Sequence, residues 1–322
     1  MTQGRANGVR AFDVRNGSGL EFTVLQDRCL DIAGLSFKGT NCSYISKTGI
    51  VAPEYHNEEG PGFLRSFTAG FLTTCGLRNV GSSCEQNGEI FSMHGRISNT
   101  PAEEVCAKTE WIDDVPVLTI AGKMREARVF GENLLLSRKI TCKYGENRIT
   151  IQNSVENLGF KREVLMLLFH FNMGYPLLDE DAVLVTPTVK LIPRDSEAEK
   201  GKMTYNQCHQ PTPDYSEQVF YHELKAEQNG NTHVALINEK LELAVSIHFN
   251  KNQLFNFTQW KQMGEGEYVM GLEPCNCFVG GRTDPRNNEV LEYLEPGETR
   301  NFDLTIELIN GEKDLTILLN NK

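Results

Sequence analysis

No apolar run in this chain approaches the roughly 18 residues a membrane span needs; the densest is Val164 to Phe169. The opening Met1-Thr2-Gln3-Gly4-Arg5-Ala6-Asn7 lacks the apolar core of a secretion signal. Membrane insertion and secretion are both disfavoured, and a cytoplasmic location is expected. Basic residues are in the minority, 32 against 43 acidic ones, for a net charge of −11. That balance argues against the broad basic face that phosphate neutralisation requires, so no nucleic-acid partner is expected. Paired Cys-x-x-Cys motifs are missing too. Cys275-Asn276-Cys277 has the wrong spacing and no second pair, so no structural zinc is expected. The nine cysteines are odd in number and irregularly spaced, and a chain of 322 residues needs no disulfide framework. Reduced thiols acting as small core side chains are expected.

Helical periodicity is scarce and no stretch repeats strand–helix–strand, which argues against a doubly wound α/β fold. Period-two alternation is abundant instead. Leu241, Leu243, Val245, Ile247 and Phe249 share one parity against Glu242, Ser246 and His248. Phe302, Leu304, Ile306 and Leu308 repeat the pattern, and Glu21–Leu25, Val117–Ala121, Leu134–Cys142, Arg148–Val155 and Phe255–Trp260 read likewise. Asn-Gly turn signals at 16–17, 87–88, 229–230 and 310–311, with Gly264-Glu265-Gly266, separate such segments. One all-β domain over residues 1–322 is expected, built of antiparallel sheets packed face to face.

Two segments break the alternation. Val164 to Phe169 is apolar on both faces, as in the middle strand of a sandwich, and runs into His170-Phe171-Asn172. Pro53 to Gly95, rich in Gly, Ser, Thr and Asn, reads as a long functional loop. Four clusters place titratable groups beside glycines, amides and aromatics. They are Thr73-Thr74-Cys75-Gly76-Leu77-Arg78-Asn79-Val80-Gly81, Met93-His94-Gly95-Arg96-Ile97, His170-Phe171-Asn172, and Gly271-Leu272-Glu273-Pro274-Cys275-Asn276 with Gly280-Gly281-Arg282. Taken singly, each histidine reads first as a satisfied structural or exposed residue, and Glu273 as a solvated turn carboxylate.

Together these clusters resemble the aldose 1-epimerase (galactose mutarotase-like) superfamily, and more closely its branch of uncharacterised aldose-epimerase-related bacterial proteins. The strongest matches are Phe71 to Leu77 with Asn79-Val80-Gly81, His94 to Ala102, Leu168 to Leu178, and Gly271 to Pro274. The resemblance implies a β-supersandwich of two large antiparallel sheets with a sugar cleft on one face. It implies a cofactor-independent epimerase acting on a small sugar, with Glu273 as the base on the anomeric hydroxyl and His170 as the acid on the ring oxygen. His94 and Arg78 fall at the positions that hold the sugar.

The chemistry suits those residue types. Opening a hemiacetal removes the O1 proton while the ring oxygen gains one, and no metal, nucleotide or redox group is needed. The expectation is that Glu273 and His170 face one another across the sugar, about a ring's width apart. The chain departs from the family pattern at Arg96, where a further glycine follows His-Gly. Arg96 either forms an ion pair, with Glu85 or Glu103 as candidates, or binds an anionic sugar. The family's substrate-contacting aspartate has no match, Asp179 being only a neighbour in sequence. Trp260 is either a sugar-stacking platform or a rim residue of the core. His56, His209, His222, His233 and His248 are read as structural or exposed. Two alternatives stand beside an epimerase: an enzyme for keto or phosphorylated sugars on the same scaffold, and a non-catalytic carbohydrate-binding protein.

Overall fold

The alternating segments pair as antiparallel strands in the computed structural model, which describes residues 1–320. Eight of them form one sheet in the spatial order Glu103–Ile112, Val115–Ala127, Asn133–Lys143, Arg148–Asn157, Thr299–Asn310, Leu243–Asn250, Asn231–Asn238 and Ala182–Val185. A second sheet runs Thr188–Pro193, Gln218–Leu224, Asn256–Met263, Tyr268–Cys275, Glu163–Met173 and Glu292–Leu294, and Leu72–Leu77 also pairs with Glu163–Met173. A four-stranded N-terminal sheet, Ala11–Arg15 to Thr40–Asn41, adds a third layer. The fold is an all-β sandwich of antiparallel sheets.

Side-chain parity decides what each strand buries. Ile149, Ile151, Val245, Ile247, Leu304 and Ile306 of the large sheet meet Leu165, Leu167, Phe169 and Phe171 of the second sheet in one core. Each such side chain contributes roughly 1.5–3 kcal/mol by leaving water. The opposite parity of the same strand, Val164, Met166 and Leu168, packs into a smaller cluster with Phe63, Phe67, Cys75, Cys275 and Cys277. Glu163–Met173 is therefore apolar on both faces because it lies between two cores.

The segment from Pro53 to Gly95 is not one long loop. It contains the strand Leu72–Leu77, buried along its whole length, and the hairpin Cys84–Gln86 with Glu89–Phe91. Thr and Gly concealed the strand. Its hydroxyls are satisfied in place, Thr73 Oγ1 donating to Ala69 O (2.6 Å) and Thr74 Oγ1 to Asp31 Oδ1 (2.6 Å). The hairpin turn is Asn87-Gly88, both residues at positive φ, as its sequence predicts.

Arg138, fully buried, ties three layers together. It donates to Asp31 Oδ1 (2.7 Å) in the N-terminal sheet, to Asn153 Oδ1 (2.8 Å) beside it, and to Thr74 Oγ1 (2.7 Å) in the strand behind the site. The α-helices are peripheral. Ser196–Gly201 is capped by the Asp195 carboxylate, and Leu315 and Leu318 of Glu312–Asn320 pack on Val185, Ala235, Ile237 and Ala244.

Candidate active site

Register brings the candidate acid and base together. Leu168 lies opposite Cys275 and Phe171 opposite Leu272, so His170 and Glu273 fall side by side on the face away from the main core. Both are nearly buried, and Nε2 of His170 lies 3.1 Å from Oε1 of Glu273. The expected separation by a ring's width is thus overturned: the two groups touch. The reason is the register, which sets the two residues opposite one another on neighbouring antiparallel strands.

Glycines make the space. A Cβ on Gly271 would stand 2.6 Å from Glu273 Oε1, 3.0 Å from Trp260 Cβ and 3.1 Å from His170 Cε1. Gly95, at φ 70°, has the Gly76 carbonyl oxygen pressed against the place where a Cβ would sit, which explains the glycine after His94. His94 itself is held in the left-handed region (φ 56°). Its Nδ1 accepts the Gly81 N–H at 3.3 Å, which leaves Nε2 to carry the proton. Its ring lies 6.1 Å from that of His170 and 5.0 Å from Phe63.

These groups line a cleft of about 260 Å³, with Trp260, Phe63, Phe67 and Val219 among its walls. Trp260 meets the His170 ring edge-on at 5.4 Å, and its Nε1 donates to Glu217 Oε2 at 2.8 Å. Burial governs protonation here. It lowers His94 to about 4 and, with help from His94, His170 to about 3. It pushes the Glu273 carboxyl well up; the nearby Glu217 charge adds to the rise and Arg194 opposes it. Burial thus disfavours charge on both partners, favouring a neutral carboxyl beside a neutral imidazole.

Arg78 and Arg96 do not reach the cleft. Arg78 is buried among three carboxylates, Glu89 (2.6 Å), Glu132 (3.2 Å) and Glu163 (3.1 Å), which occupy its guanidinium edge. Its expected hold on the sugar is corrected to an ion-pair role. Arg96 pairs with Glu58 (2.7 Å) and approaches Glu132 (4.0 Å) rather than Glu85 or Glu103, the latter bonding to Arg125. Asp179 closes a local turn and accepts from Asn238. His222 is buried between Thr188 and Gln259, while His56 approaches Ser66 at 3.5 Å.

Among the described residues, the cation lining the cleft is Arg194, with Glu217 beside it. Neither carries a sequence signal. They lie at adjacent strand ends, in Pro193-Arg194-Asp195 and Ser216-Glu217-Gln218, without a flanking motif. A larger hollow, about 580 Å³, lies on the outer face of the eight-stranded sheet. Its histidines, His233 and His248, stack on each other (5.2 Å), and His248 pairs with Glu307. It has no buried acid beside a buried base, so the smaller cleft is the candidate site. Among the described residues, no group of three or more His, Cys, Asp or Glu is placed to hold a metal ion. No helix among them is long and apolar enough to cross a membrane.

The chain belongs to the family described as Domain of unknown function (DUF4432), whose family model matches residues 6–308. No curated protein matches it significantly. It is similar in structure to a "putative aldose 1-epimerase" from Klebsiella pneumoniae, 25% identical with a TM-score of 0.95, covering 100% of this chain and 85% of that one. A galactose mutarotase-like protein from Clostridium acetobutylicum, 13% identical, superposes with a TM-score of 0.67 over 94% of this chain and 99% of that one. Galactose 1-epimerase from Lactobacillus acidophilus, 12% identical, does so with a TM-score of 0.60 over 97% and 98%. At those identities the last two show the fold alone.

Proposed function

We propose that this protein is a cofactor-independent carbohydrate epimerase that interconverts the anomers of an aldose. The observation that carries the reading is the buried contact between Glu273 and His170 at the cleft, with His94 beside it. The similarity to a protein described as a putative aldose 1-epimerase supports it.

The residues perform a closed proton cycle. The cycle begins with transfer of the proton from Glu273 to His170 across their contact; Glu273 then takes the O1 proton while the imidazolium protonates the ring oxygen, and the C1–ring oxygen bond breaks. The aldehyde forms, and the proton is now on Glu273, the form that burial favours in the empty cleft. After rotation about C1–C2, His170 takes the proton from the freed hydroxyl and Glu273 returns one to O1, closing the ring on the other face. His94, neutral with Nε2–H free, donates to a sugar oxygen, and Trp260 supplies an aromatic wall. A binding protein would not need a buried acid touching a buried base, because desolvating both is costly without a proton to move.

Exchange NMR over a panel of aldoses tests this. Saturating one anomer should carry over to the other faster than the spontaneous rate for at least one sugar. Glu273→Gln, which keeps the shape and removes the base, should lower that rate by on the order of a hundredfold or more. No acceleration with any aldose would sink the reading.

A further inference from the structure

Besides Glu273 and the two histidines, the charged side chains lining the cleft, among the described residues, are Arg194 and Glu217. They are built as a unit. Arg194 Nη2 donates to Glu217 Oε1 at 2.9 Å, and its Nε donates to Asp195 Oδ2 at 2.8 Å. Asp195 is itself immobilised by accepting from the backbone N–H groups of Glu197 and Ala198. Glu217 Oε2 accepts the indole N–H of Trp260, whose ring meets His170. A guanidinium and a carboxylate are thereby presented side by side, one step from the acid–base pair. Both remain partly exposed, with side-chain exposures of 31% and 45%, and so have donors and lone pairs to spare.

We propose, resting on the sugar reading above, that Arg194 and Glu217 form a specificity subsite for an uncharged edge of the sugar. The subsite would exclude sugars bearing a carboxylate or phosphate at that edge. A hydroxyl both donates and accepts, so adjacent hydroxyls satisfy Glu217 and Arg194 at once. An anionic group can use only Arg194, whose charge Glu217 already offsets, and it is repelled by Glu217 itself. Glu217 is the discriminating residue. It removes the attraction that a lone arginine in a sugar cleft would exert on acids.

The test is a binding measurement independent of turnover. The chain has two tryptophans, and Trp111 is exposed on an edge strand, so in a Trp111→Phe background the fluorescence reports Trp260. Glucose, galactose, their uronates and their 6-phosphates are titrated against this protein and against its Glu217→Gln and Arg194→Gln variants. In Glu217→Gln the new side-chain amide oxygen can still accept from Trp260, so the change removes charge and keeps the wall. The parent should bind the neutral sugar more tightly than its acidic counterparts. Glu217→Gln should shift that ratio towards the acids by on the order of tenfold. Arg194→Gln should weaken the neutral sugar without gaining the acids. An unchanged ratio in Glu217→Gln, or an acidic sugar preferred by the parent, overturns the subsite while leaving anomerisation by Glu273 intact. The predicted shift without anomer exchange would keep the subsite and overturn the catalytic reading. Absence of any saturable sugar binding overturns both.

Discussion

Nε2 of His170 and Oε1 of Glu273 lie 3.1 Å apart on neighbouring antiparallel strands, and Gly271 is the residue that leaves room for them. The pair is enclosed on one side by Trp260 and Phe67, each with its ring within 5.4 Å of the imidazole. In the proposed cycle the two groups serve two oxygens of one sugar carbon, a task to which this closeness is suited.

Gly271→Ala tests the geometry without touching a titratable group. The backbone there needs no left-handed conformation, so the fold should persist with little change in melting temperature. The added methyl, 2.6 Å from Glu273 Oε1, must displace the carboxylate. Anomer exchange should fall by on the order of a hundredfold, as for a misplacement of about 1 Å. Full activity in a folded variant would show that the carboxylate's present position is not the working one.

His222 sets a pH dependence of stability. Burial lowers its imidazole to about 3, against roughly 6.5 in an unfolded chain. Below pH 6.5 the unfolded state takes up a proton that the folded state refuses, so this contribution is complete above about 6.5 and is lost as the pH falls towards 3. The slope is roughly 1.4 kcal/mol per pH unit for one such group. Denaturant midpoints of His222→Gln, measured from pH 7 to 4.5, should fall less steeply than those of the parent. Parallel curves would mean that His222 takes up its proton while folded.

Asp31 and Arg138 form a buried pair that should be costly to break and cheap to replace. Asp31→Ala leaves the Arg138 guanidinium, fully buried, without its counter-charge and should cost about 3–5 kcal/mol. The double change Asp31→Leu with Arg138→Met should be less destabilising than Asp31→Ala alone. Urea unfolding of the variants measures both. Additive losses would mean that the two side chains act independently.

Arg96 should have no part in choosing the sugar. It pairs with Glu58 outside the cleft, and both are more than a third exposed, so Arg96→Gln should cost less than about 1 kcal/mol. The ratio of affinities for a hexose and its uronate should stay at the parental value, in contrast to Glu217→Gln. A shift in that ratio would place Arg96 in recognition after all.

Much of the site was legible because its residues sit in short motifs on strongly patterned strands. Parity along Glu163–Met173 puts His170 on the face of Val164, Met166 and Leu168, and the same rule puts Glu273 on the face of Cys275. The strand Leu72–Leu77 escaped because its polar side chains find partners in other sheets, notably Asp31 and Arg138, which no local pattern reports.

By itself, then, the sequence determined the all-β sandwich, through period-two burial, and the identity of Glu273, His170, His94 and Trp260 as cleft candidates. Only the tertiary structure decided which arginine lines the cleft. A guanidinium on a long side chain goes to whichever carboxylates surround it, and those come from distant segments: Glu163 lies 85 residues from Arg78. Arg78 and Arg96 are taken up by Glu58, Glu89, Glu132 and Glu163, and Arg194 is left at the cleft beside Glu217. The balance of charge in the site was therefore settled by packing, because partner choice depends on distances in space that spacing along the chain does not encode.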